Sequence, residues 1–82
     1  MPKIKVLYWA QAKEAVGKRS EIINLPDGLN VANAVDAIVK RHSELSRIKK
    51  QIRIAVNKEV VDDDHKIRDG DELALLPAVA GG

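Results

Sequence analysis

Asn30-Val31-Ala32-Asn33-Ala34-Val35-Asp36-Ala37-Ile38-Val39 is the stretch that sets the fold. Val31, Ala34, Val35, Ile38 and Val39 recur at helical spacing and form one apolar stripe. Asp36, Lys40 and Arg41 lie off that stripe, and Asn30 is a residue type that caps a helix N-terminus. A helix with a single apolar stripe covers a single surface, so the rest of the chain must supply it. The helix is expected to fade around His42 to Leu45, with Ser46 to Gln51 as an exposed basic connection.

On the N-terminal side, Lys3-Ile4-Lys5-Val6-Leu7-Tyr8-Trp9 alternates as a strand. Ile4, Val6 and Tyr8 share one face; Lys3, Lys5, Leu7 and Trp9 share the other, which starts charged and ends apolar. Ala10 to Val16 consists of good helix formers and is closed by Gly17, giving a helix of about two turns that needs packing to persist. Arg19 to Leu25 alternates again, Ile23 and Leu25 against Ile22, as a strand antiparallel to the first. Pro26-Asp27-Gly28 is a turn.

On the C-terminal side, Ile52, Ile54 and Val56 mark a third strand ending at Asn57. Lys58 to Val61 is a short return strand, and Asp62-Asp63-Asp64 and Arg68-Asp69-Gly70-Asp71 are polar turns. Glu72 to Leu76 is the last strand, with Leu73 and Leu75 inward and Ala74 and Leu76 outward. Pro77 lacks the N–H that a ladder needs and ends the pairing. The expected class is α+β, a mixed sheet with the main helix on one face. The expected division is a domain at 1–77 and an extended tail at 78–82.

Eighty-two residues make one small domain, 45% hydrophobic and without Phe, so the core is aliphatic. Fourteen basic and twelve acidic residues leave a net charge of +2, too balanced to argue for nucleic acid. Cysteine is absent, which excludes disulfides, thiolate metal sites and a cysteine nucleophile. No apolar run approaches the ~20 residues that span a bilayer. With no secretory segment expected at Met1-Pro2-Lys3, a cytoplasmic protein fits best.

No constellation of side chains suggests catalysis. His42 extends the helical stripe and reads as a helix-end histidine; His65 lies in a polar turn. The acidic triplet lacks the spaced ligands of a calcium loop, and no metal site is expected. Arg47, Lys49 and Lys50 read as a solvated face. Leu7, Trp9 and Leu76 differ, because they point away from the main helix and form an apolar patch of the kind that marks an interface.

Ile4 to Gly17, Ile54-Ala55-Val56-Asn57, Arg68 to Pro77 and the terminal Gly81-Gly82 together resemble the small, sulfur-carrier subunits of molybdopterin synthase. The resemblance implies a β-grasp, ubiquitin-like fold. It also implies that Gly82 reacts: an activating enzyme uses ATP to adenylate its carboxylate, and a sulfur donor converts the acyl-adenylate to a thiocarboxylate. The tail, Val79, Ala80 and Gly81 included, then enters the large synthase subunit in an assembly of two small and two large subunits. There it gives sulfur to cyclic pyranopterin monophosphate, and two transfers build the dithiolene. No cofactor is expected on the chain itself, and neither nucleic acid nor membrane is an expected partner. Family contacts with the large subunit map onto Trp9, Val60 and Leu76, overlapping the patch that also contains Leu7.

The chemistry suits the residues. A carboxylate, with pKa about 3.5, is anionic and lacks a good leaving group until adenylation supplies one. The five residues after Pro77 reach roughly 16 Å when extended. Gly81 and Gly82 have no Cβ, so a narrow channel can close on the backbone. Ala78 stands where a second proline is usual, and Leu75-Leu76 replaces a frequent aromatic pair. A diglycine end is also shared with thiazole-synthesis carriers and ubiquitin-like protein modifiers. A third reading is an interaction domain with an incidental tail.

Overall fold

The structure, a computed structural model, describes residues 1–77. The elements run β1 (Lys3–Tyr8), α1 (Ala10–Val16), β2 (Ser20–Asn24), α2 (Val31–Arg41), two 3-10 turns at Ser43–Arg47 and Lys49–Gln51, β3 (Ile52–Val56), β4 (Glu59–Val60) and β5 (Glu72–Pro77). The sheet order is β2-β1-β5-β3-β4. β1 and β5 pair in parallel at the centre, and every other pair is antiparallel. A parallel pair needs a long crossover, which everything from α1 to β4 provides. This is the mixed β-grasp sheet with its main helix on one face.

α2 begins where its sequence requires. The Asn30 side chain accepts from Asn33 N–H at 2.9 Å, and Asn33 Oδ1 accepts from Asn30 N–H at 3.4 Å. Val31 and Ala32 N–H donate to the carbonyls of His65 and Asp63 at 2.8 and 3.0 Å. The acidic turn thus serves the helix through its backbone. Val31, Ala34, Val35 and Ile38 are buried, in one cluster with Ile4, Val6, Tyr8, Ile23, Leu25, Leu73 and Leu75 from the sheet. Each large aliphatic in that cluster contributes about 1.5–3 kcal/mol relative to exposure. Gly17 closes α1 at φ 83, donating its N–H to Lys13 O at 2.8 Å.

Several boundaries differ from the sequence expectation, and β2 and β4 are each shorter at both ends, at Ser20–Asn24 and Glu59–Val60. β1 ends at Tyr8 rather than Trp9, because Ala10 turns the chain at φ 48 into α1. The ladder extends to Pro77, which pairs with Ile52 at the end of β5, where a missing N–H costs little. The stretch after α2 is not an open connection: Leu45 is fully buried and Ile48 packs against the core. Leu45, Ile48 and Gln51 N–H donate to His42, Leu45 and Ile48 O at 3.0, 3.1 and 2.8 Å. That three-residue period is invisible to a search at 3.6.

Candidate functional site

The face of the sheet opposite α2 carries the candidate site. Side chains directly opposite one another on paired strands share a face. Ser20, Leu7, Ala74, Ala55 and Val60 therefore form one row across all five strands. Ala55 and Ala74 are buried at its middle. Toward the end of β5 the next positions are Leu76, paired with Arg53, and Trp9, whose N–H donates to Leu75 O at 3.2 Å.

All four predicted interface residues thus lie on one face. Trp9 is 53% and Val60 60% exposed, while Leu7 and Leu76 are half-buried. Val60 stands three strands from Leu7, roughly 14 Å at strand spacing. α1 does not cover the patch. Its Ala12 belongs to the core under α2, and Ala15 and Val16 pack on that same core. The expected tail residues Val79, Ala80, Gly81 and Gly82 lie outside the described residues. β5 leads toward them at the Trp9 end of β1, since the two strands run the same way.

A polar clasp fixes the start of β5. Asn57 and Lys58 turn β3 into β4 with φ 52 and 74, the left-handed pair of a tight hairpin. Asn57 Nδ2 donates to Asp71 Oδ1 at 2.9 Å, Glu72 N–H donates to Asn57 Oδ1 at 2.9 Å, and Asp71 Oδ2 accepts from Arg68 N–H at 2.8 Å. Asp69 Oδ1 accepts from Lys3 N–H at 2.7 Å, and Gly70 N–H donates to Lys3 O at 2.9 Å. The turn at Asp69-Gly70-Asp71 therefore ties β5 to both of its neighbours. Sequence reasoning took it for a solvated turn; the signal was the pairing of Asn57 with Asp71, fourteen residues apart.

A second missed cluster lies under Tyr8. Its hydroxyl donates to the Glu21 carboxylate, which also bonds His42 Nε2, with Arg41 and Lys18 at 3.4 and 3.5 Å. The Tyr8 ring meets the His42 ring edge-on at 5.8 Å. Burial, then the hydrogen bond and charge of Glu21, hold the Tyr8 phenol above its ordinary range, with Arg41 pulling the other way. Burial alone would raise Glu21. Hydrogen bonds from Tyr8 and His42, with the charges of His42 and Lys18, outweigh it and bring the group down to about 2. His42 is thus the helix-end histidine expected, with a partner that the periodicity did not name.

Among the described residues no three metal-ligating side chains come together, and none of the described helices is long and apolar enough to cross a membrane. The face opposite α2 is apolar around Trp9 and Leu76, at the C-terminal end of β5.

The comparisons agree with that geometry. A molybdopterin synthase sulfur carrier subunit from Chlamydomonas reinhardtii is 34% identical over 82 residues, covering 98% of this chain and 99% of the relative. A Pyrococcus furiosus structure described as subunit 1 of the molybdopterin converting factor superposes with TM-score 0.88 at 31% identity, covering 96% of this chain and all of that one. The Haloferax volcanii small archaeal modifier protein 1 gives TM-score 0.87 at 28% identity over the same shares. The ThiS family profile matches residues 6–82, nearly the whole length, and the chain belongs to the ThiS family.

Proposed function

We propose that this chain is the sulfur-carrier subunit of a molybdopterin synthase. One observation carries the reading: strand register sets Trp9 and Leu76 side by side on an apolar face that the described residues leave open, on the strand that precedes the diglycine tail in sequence. The full-length likeness to a sulfur carrier subunit supports it.

In this reading the Gly82 carboxylate attacks the α-phosphorus of ATP on an activating enzyme, expelling pyrophosphate. A sulfur donor then displaces AMP from the acyl carbon and leaves a thiocarboxylate. The apolar face seats the chain on the large synthase subunit, in an assembly of two small and two large subunits. The tail passes its sulfur to cyclic pyranopterin monophosphate there. This chain supplies the carrier and the docking surface, and the partners supply ATP binding and the catalytic side chains. The cytoplasm, where ATP is at hand, is the fitting location.

Deleting Gly82 tests the proposal, because Gly82 comes five residues after Pro77 of β5. Dithiolene formation with the large subunit should vanish while the melting transition stays in place; retained dithiolene formation would refute it. A second reading, attachment to protein lysines, is favoured by the likeness to a small archaeal modifier protein. It requires isopeptide-linked Gly82 on lysine side chains, detectable by peptide mass spectrometry.

A further inference from the structure

Trp9 is the one tryptophan of the chain and is more than half exposed. Its backbone is tied to β5, since its N–H donates to Leu75 O two residues before Pro77. Beyond Trp9, on the side away from β5, a hollow of about 480 Å³ opens between β1, α1 and the start of β2. Leu7, Trp9 and Ala10 give it an apolar lining, and Lys13, Glu14 and Arg19 supply its charge.

Lys13 and Arg19 are exposed, and neither makes an ion pair among the described residues. Glu14 offsets one of them, so the hollow keeps one net positive charge. An apolar lining with one excess cation suits a segment that is short, apolar and singly negative.

The chain carries such a segment itself. Ala78-Val79-Ala80-Gly81-Gly82 has three small apolar side chains and no charged one. In the sulfur-carrier reading it ends in a free carboxylate, and the inference rests on that reading to this extent. The hollow reaches from β1 to β2, two strand spacings or roughly 10 Å from β5. Five extended residues reach roughly 16 Å, so the end arrives with length to spare. A groove of about 460 Å³ on the other side of β5 is as near, because Ile52 both lines it and pairs with Pro77. Its charges tell against a carboxylate: Asp36 takes Lys49 at 2.7 Å, and Asp63 offsets Lys50.

We propose that in the free chain residues 78–82 fold back across Trp9 into the hollow beside α1, with the Gly82 carboxylate at Lys13 and Arg19. Val79 and Ala80 would lie against the indole and Leu7. The contacts need not be strong, because a short tether holds its end at an effective concentration of about millimolar. A partner that grips Trp9 must displace the tail, so docking itself frees Gly82.

The chain has no cysteine, so Ala80→Cys accepts a single nitroxide label in the full-length protein. The amide signals of Leu7, Lys13, Arg19 and Ser20 should broaden most, and reducing the nitroxide should restore them. Lys13→Glu combined with Arg19→Glu, both at exposed positions, should lower the docked-to-free ratio about two- to fivefold, the factor that an exposed ion pair supplies. The same two changes should make Trp9 fluorescence easier to quench with acrylamide. Broadening centred on Ala32 and Ile54, broadening with no preferred place, its transfer to a second, unlabelled copy, or broadening and quenching unmoved by the charge reversals would each overturn the proposal. The label reads the position of the tail whether or not Gly82 ever carries sulfur, so failure of the sulfur-carrier reading and failure of this one are told apart.

Discussion

Trp9, the single residue between β1 and α1, donates its backbone N–H to Leu75 O at 3.2 Å. That bond fixes the exposed indole to the strand that leads into the tail. A partner that grips Trp9 therefore also sets where the tail begins. Trp9→Ala should leave the fold intact, because the indole is more exposed than buried. Affinity for the synthase large subunit should fall by about 2 kcal/mol or more, as for a central aromatic anchor. Titration calorimetry measures this, and unchanged affinity would remove Trp9 from the interface.

The clasp at Asn57 and Asp71 makes a second prediction. Asp71→Ala strips Asn57 Nδ2 and Arg68 N–H of their acceptor. Losing charge-assisted bonds at a partly solvated turn should cost about 1–3 kcal/mol in urea denaturation. Amide exchange should rise first at Glu72, whose N–H donates to Asn57.

Glu21 gives the chain a defined acid sensitivity. Its carboxyl lies at about 2 in the fold against an ordinary 4.5. A depressed carboxylate contributes stability that is fully present above the unfolded value and is lost as pH falls through the folded one. The loss should run from pH 4.5 to 2, with a ceiling of about 3 kcal/mol. Glu21→Gln should flatten that part of the profile in denaturation from pH 7 to 2, leaving the contribution of the other acids in both proteins. Parallel profiles would show that the cluster does not store this energy.

Leu45→Ala tests the feature least visible in the sequence. Leu45 is fully buried, and its truncation should cost about 2–5 kcal/mol. A cost below about 1 kcal/mol, the size of a surface change, would contradict its place in the core.

The sheet and α2 were legible because period two and period 3.6 are strong signals when one face is buried. Ile4, Val6 and Tyr8, and Val31, Ala34, Val35 and Ile38, all fall inside. The patch was legible for the converse reason: Leu7, Trp9 and Leu76 broke the polar face of an otherwise amphipathic layer. Leu45 escaped because 3-10 turns repeat at three residues. The Tyr8–Glu21 bond, the Asn57–Asp71 clasp and the central pairing of β1 with β5 join residues 13, 14 and 67 positions apart, and local period carries no such information. The functional end was legible only by resemblance, since two glycines impose no pattern of their own.

The central claim is that Gly82 carries the sulfur. The most direct measurement is the intact mass of the chain after incubation with its activating enzyme, ATP and a sulfur source. Exchange of one oxygen for sulfur at the terminal carboxylate adds about 16 Da, and fragmentation should confine that gain to Gly82. An unchanged mass, or a gain located elsewhere in the chain, would contradict the account.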